Sequence, residues 1–108
     1  MAGLNCGTPS VVAWPETSNG FDLYAEIDDD SARAGMKLLA EVGIEAGECS
    51  GGTLGGARDV LAASWATQLA LGEDASGLIL LTEGVTDPAA YAQIVASQPG
   101  AVRGRARS

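Results

Sequence analysis

The chain contains no histidine, two cysteines and six basic residues, and each shortage removes a class of function. Without histidine, the commonest general base and metal ligand is missing. Cys6 and Cys49 alone cannot complete a zinc site, so no metal ligand set is expected. Two thiols also make no disulfide framework and read as reduced side chains. Fourteen acids against six bases give a net charge of −8, which argues against nucleic acid or an anionic membrane surface as a partner. Arg103, Arg105 and Arg107 lie in the terminal GAVRGRARS, so the body is more acidic still. Residues 98–108 are expected to be a disordered tail. No apolar run approaches membrane-spanning length and no basic segment leads into an apolar core, so a cytoplasmic polypeptide is expected.

Aromatic residues are scarce too, with Trp14, Phe21, Tyr24, Trp65 and Tyr91 making 5% of a chain that is 46% hydrophobic. Alanine and glycine fill much of the remainder. The packing units are therefore small, which suits closely approaching helices and strands. At 108 residues the chain is one domain at most.

Two segments read as strands. Residues 21–27 alternate, with Leu23, Ala25 and Ile27 on one side and Asp22, Tyr24 and Glu26 on the other. Residues 78–81, Leu-Ile-Leu-Leu, form a continuous apolar run suited to a strand covered on both faces. Residues 11–14 make a short apolar patch stopped by Pro15, and 17–20 (TSNG) signal a turn.

Three helices are expected. Asp28, Asp29, Asp30 and Ser31 precede an apolar stripe of Ala32, Met36, Leu39 and Val42 that ends at Gly43, so the acids read as caps rather than metal ligands. Lys37, the sole lysine, falls on the polar side of this helix, where it is solvated rather than poised for covalent chemistry. In residues 47–71 a glycine-rich turn opens a helix with Ser50 as N-cap and Leu54, Ala57, Leu61, Trp65 and Leu69 on one face. Such a turn can offer free N–H groups to a ligand, and glycines permitting close helix packing explain it equally well. Neither G-x-G-x-x-G nor a P-loop lysine occurs, so no dinucleotide or triphosphate site is supported. Asp87 caps the last helix and Pro88 takes its first position. The order β-α-α-β-α belongs to the α/β class. In open α/β sheets ligands gather where strands end at their carboxyl side, which makes the turn Thr82, Glu83, Gly84 the candidate site.

Several stretches together resemble one family. MAGLNCGTPSVVAW resembles the MAGL-x-CG-x-P segment of diaminopropionate ammonia-lyases, fold-type II enzymes that depend on pyridoxal phosphate and are related to the tryptophan synthase β chain. ARAGMKLLA is similar to the helix that follows there, and GECSGGTLGG to an acid-Ser-Gly-rich loop before a long helix. LLTEGVTDPAAYAQIV is similar to the pattern S-T-E-G-x-T-D-P-x-x-Y. The resemblance runs collinearly over about residues 1–95.

The resemblance implies that residues 1–97 are the C-terminal portion of the large domain of such an enzyme, which in complete form serves amino-acid catabolism by converting 2,3-diaminopropionate to pyruvate and ammonia. It implies pyridoxal phosphate as cofactor, a small amino-acid substrate and a homodimer. Thr82 would set its hydroxyl against the pyridine nitrogen, Ser50 and Gly51 would lie beside the ring, and Glu83, Asn5, Cys6 and Gly7 would line the same cavity. Either Cys49 or Glu48 takes the acid position before the serine. The family's Schiff-base lysine, catalytic carboxylates and phosphate-binding glycine loop have no counterparts here, so no catalytic residue is expected. The missing N-terminal portion would be the partner, and the chain by itself is expected to be inactive. Two alternatives stand beside this: a non-catalytic interaction module or half of a split enzyme, and a serine or threonine dehydratase-like enzyme.

Overall fold

The acids at 28–30 do start a helix. Asp28 keeps an extended backbone and its carboxylate accepts the Ser31 N–H at 2.8 Å, while Asp29 and Asp30 occupy the first turn. In the computed structural model, which describes residues 1–97, this is α2 (Asp29–Glu41). It follows a 3-10 turn (Ala2–Leu4) and α1 (Trp14–Gly20), and precedes α3 (Glu48–Ala62), α4 (Trp65–Gln68) and α5 (Pro88–Ala96). Gly43, at φ +81°, closes α2 in the left-handed conformation that glycine adopts without a steric penalty. Asp87 accepts the Ala90 N–H at 3.0 Å and Pro88 opens α5, both as expected.

The glycine-rich stretch departs from expectation. It is not a turn before a helix but the first half of α3 itself, with Gly47 rather than Ser50 at the N-cap. Glycine inside a helix costs up to about 1 kcal/mol per residue relative to alanine, so packing must offset it. Ser50, Gly51, Gly52, Gly55 and Gly56 are buried on α3, with Gly51 and Gly55 facing α2, where Ala32, Gly35, Met36 and Leu39 are buried, and Gly52 and Gly56 facing Ile27. A Cβ on Gly35 would run into the carbonyl of Gly51 and lie 2.8 Å from the Gly55 nitrogen. One on Gly55 would run into the Ser31 carbonyl, and one on Gly51 would sit 2.7 Å from that of Ala32. The two backbones are in contact, and the Ser31 hydroxyl donates to the Asp59 carboxylate across the seam. The expected face of α3 is not the packed one: Leu61 is 53% exposed and Trp65 41%. The chain breaks at Ala63 and Ser64, so Trp65 belongs to the separate short helix α4.

No strand forms among the described residues, so the expected β-α-α-β-α order is not seen. Residues 21–27 and 78–81 form no ladder, and residues 17–20 are helical as part of α1. A strand exists only through neighbours that take its N–H and C=O groups, and the described residues supply none to either segment. Residues 21–27 are instead tied to α1 by the Tyr24 hydroxyl, which donates to the Thr17 carbonyl. Leu78 is 87% exposed and Leu80 68%. The apolar side chains buried among the described residues are Ala32, Met36, Leu39 and Ala46. The total surface, 8437 Å², is about half as much again as the roughly 5,600 Å² typical of a compact 10.9 kDa monomer. The expected tail at 98–108 lies outside the described residues.

The seam predicts opposite outcomes for neighbouring glycines. Gly55→Ala should destabilise the α2–α3 pair by about 1–3 kcal/mol, because its Cβ meets backbone that cannot yield. Gly56→Ala, whose Cβ meets only the Ile27 side chain at 3.2 Å, should be neutral or stabilising through helix propensity. Thermal unfolding followed by far-ultraviolet circular dichroism separates the two.

Asp28 gives a second prediction. Hydrogen bonds from Ser31 hold its carboxyl below the ordinary carboxylate value. Its contribution is therefore present above the unfolded value and lost as pH falls through the folded one. Asp28→Ala should cost about 1 kcal/mol at neutral pH, and the difference in unfolding free energy should shrink below about pH 3.9.

Candidate functional site

Three parts of the chain meet at the first turn of α3. From one side comes the 3-10 turn, where the Gly3 N–H donates to Glu48 Oε2 at 2.8 Å and the Cys49 thiol points to the Gly3 carbonyl at 3.8 Å. From another comes the turn after residues 78–81. The Gly47 N–H donates to the Glu83 carbonyl at 3.3 Å, and the Cys49 N–H donates to Glu83 Oε1 at 3.4 Å. The Glu83 contacts follow from the orphan amides of a helix start, which attract carbonyl and carboxylate oxygens, whereas the 3-10 turn is held the other way round, by the helix's own Glu48 accepting the Gly3 N–H.

Cys49 sits between the two carboxylates. Burial pushes its thiol pKa up, and the charges of Glu83 and Glu48 push it further. A thiolate near a helix N-terminus ordinarily gains from the helix dipole; here carboxylates already occupy that field. Cys49 therefore carries less thiolate at a given pH than an unperturbed thiol.

Ser50 follows one residue later. Its side chain is fully buried and its Oγ has no hydrogen-bond partner among the described residues. An unmet buried hydroxyl costs about 1–3 kcal/mol, which marks Ser50 as the chemically unfinished group in this region. Gly51 is buried against Met36 and Ala32 and offers no cradle.

The expected site residues fall into two groups. Glu83 is held on the α3 start, which brings the adjacent Thr82 to the same end of the helix as Ser50 and Gly51; Thr82 itself is exposed. Asn5 lines an open groove of about 550 Å³ with Leu4, Ile27, Asp29, Cys49 and Thr53. Cys6 and Gly7 are not brought to the helix. The Cys6 thiol points to the Thr8 carbonyl of its own loop at 3.6 Å, and a Cβ on Gly7 would meet nothing within 4 Å. Sequence reasoning missed Gly47 and left Glu48 without a task. The signal was present in the spacing, since an acid at 48 directly after Gly47 is the pattern of an acidic first helical turn. Lys37 is half-buried on α2.

Comparison with known proteins supplies the remaining finding. No family model and no solved structure matches the chain. Among curated proteins it is similar to an Escherichia coli K12 protein named diaminopropionate ammonia-lyase, at 34% identity over 108 aligned residues and 88% of this chain. The Salmonella typhimurium protein of the same name is 31% identical over 105 residues, again 88% of this chain. In both cases the match covers 26% of the relative, so the chain spans about a quarter of the length of the curated relatives it matches. No helix among the described residues is long and apolar enough to cross a membrane.

The two thiols provide a direct check on the geometry. Iodoacetamide at pH 8 should alkylate exposed Cys6 first, with Cys49 reacting several-fold more slowly. Peptide mapping by mass spectrometry over time reads both rates.

Proposed function

We propose that this chain forms part of a pyridoxal-phosphate-dependent ammonia-lyase acting on 2,3-diaminopropionate, and that it contributes the side of the cofactor site that faces the pyridine ring. The observation that carries the reading is the similarity over 88% of the chain to proteins named diaminopropionate ammonia-lyase. Ser50 supports the cofactor part, because a fully buried hydroxyl without a partner fits a ring substituent that can hydrogen-bond to it. The glycines beside it do not fit a phosphate, since Met36 and the α2 backbone fill the space a phosphate would need.

Pyridoxal phosphate, when bound, supplies the electron sink that lets ammonia leave an amino acid. The residues of this chain orient it. Thr82 would offer a hydroxyl to the pyridine nitrogen, and a hydroxyl leaves that nitrogen less protonated than a carboxylate would. Ser50 would satisfy its own hydroxyl on the ring, while Gly51, packed against Met36 and Ala32, serves the helix seam instead. Asn5 would line the approach, and Glu83 holds the turn that carries Thr82. A lysine for covalent attachment, a phosphate seat and the remainder of a homodimeric enzyme would come from sequence outside these 108 residues.

A second reading, an interaction module, is favoured by one observation: Leu78, Leu80 and Leu81 are uncovered. The two readings separate on mixing. The purified chain is combined with the part of the Escherichia coli relative lying outside the matched quarter, pyridoxal phosphate is added, and pyruvate release from 2,3-diaminopropionate is measured. The expected result is no turnover by either piece alone and turnover by the mixture, lowered at least about tenfold by Ser50→Ala or Thr82→Ala. Self-association of the chain with no pyruvate from the mixture would support the interaction module, and turnover by the chain alone would overturn the assignment of its role.

A further inference from the structure

We propose that Glu83 is a positioning residue and Gly47 its seat: together they form a joint that fixes the turn carrying Thr82 in register with the helix turn carrying Ser50. The proposal rests on the reading that these two hydroxyls serve one cofactor, and it adds the device that sets the distance between them.

Gly47 has φ −78° and ψ −171°, an extended conformation open to any residue, so its lack of a side chain is not a backbone requirement. What it permits is approach. A Cβ there would lie 2.6 Å from the Gly84 carbonyl oxygen and 2.7 Å from Glu83 Oε1. Glu83 uses the space twice, accepting the Gly47 N–H on its backbone carbonyl and the Cys49 N–H on its carboxylate. Two acceptors from one residue on two amides of one helix turn restrain both translation and rotation, which a single bond does not. The flanking residues then inherit their positions: Thr82 precedes Glu83, and Ser50 follows Cys49.

Among the described residues, the hydrogen bonds that tie this turn to the α3 start are those of Glu83, while α5 beyond it packs against α2. Residues 78–81 make no ladder among the described residues, and Asp87, beyond the turn, is occupied in capping α5. Glu48 lies on the same helix turn but holds Gly3 instead. The two carboxylates therefore divide the helix start, one for each incoming segment, with Cys49 between them as a built-in reporter of where Glu83 lies.

The test uses the full chain without cofactor, in a Cys6→Ser background, and compares Gly47→Ala, Glu83→Ala and Glu83→Gln. Amide hydrogen exchange is followed at Gly47 and Cys49, and at Leu39 and Gly55 in the α2–α3 seam. The pH profile of Cys49 alkylation is measured alongside. Gly47→Ala should speed exchange at residue 47 and Cys49 by about tenfold, Glu83→Ala, which keeps the backbone carbonyl, should do so at Cys49, and both should leave Leu39 and Gly55 unchanged. Glu83→Gln keeps an oxygen acceptor but loses the charge, so it should preserve amide protection and move the alkylation profile to lower pH. Unchanged protection in both alanine variants, or a Glu83→Gln profile identical to the parent, would overturn the proposal. So would loss of protection spread equally to Leu39 and Gly55, because that describes a general stabiliser. None of these readouts involves pyridoxal phosphate. A joint that behaves as described, with no effect of Ser50→Ala on the mixed-fragment lyase assay, would defeat the cofactor reading and leave the joint intact.

Discussion

Backbone contact between α2 and α3 is the constraint on which the rest depends. Gly35, Gly51 and Gly55 let the two helices approach until carbonyl and amide groups face one another. That proximity replaces side-chain interdigitation as the source of specificity. A helix pair packed through long side chains can slide by a rotamer change, whereas one packed through glycine cannot shift without backbone collision. The axis of α3 is fixed accordingly, and its N-terminal turn projects at a defined place. The cost of glycine in the helix is offset by dispersion over two closely matched surfaces.

Electrostatics then assigns neighbours to that turn. Amides without helical partners create a positive end, and Glu48 and Glu83 answer it from opposite sides by holding Gly3 and the Cys49 amide. Burial first, and then the charges of Glu83 and Glu48, raise the Cys49 thiol pKa, while Ser50, one residue deeper, is left with an unmet hydroxyl. The carboxylates satisfy exposed amides, but Ser50 is sealed away from both.

Much of this was legible in the residues. The cap at Asp28, the left-handed stop at Gly43 and the Asp87-Pro88 start of α5 each follow from local rules that need no tertiary partner. The glycine-rich stretch was legible only as a pair of alternatives, a ligand-facing turn or a close-packing helix. Its helical state depends on α2 lying against it, which local propensity does not encode. The same limit produced the error over Leu61 and Trp65: apolar periodicity marks a face able to be buried, not one for which a partner exists. The strands at 21–27 and 78–81 failed for that reason as well. Glu83 was legible as part of a polar turn, but its partners at Gly47 and Cys49 lie thirty-odd residues away in sequence.

The uncovered apolar run and the candidate site are linked by one peptide bond. Leu81 is the last residue of the apolar run and Thr82 the first of the polar turn. On its C-terminal side Thr82 is restrained through Glu83, whereas on its N-terminal side residues 78–81, with Leu78, Leu80 and Leu81 exposed, make no ladder among the described residues. Side chains alternate in direction along a strand, so pairing of 78–81 with any neighbouring strand would also select the face toward which Thr82 points. A one-residue slip in that pairing would turn the hydroxyl to the opposite face. Covering the apolar run and orienting Thr82 are therefore a single event. An element that buries Leu78 and Leu80 acts on the site as directly as a residue that touches it.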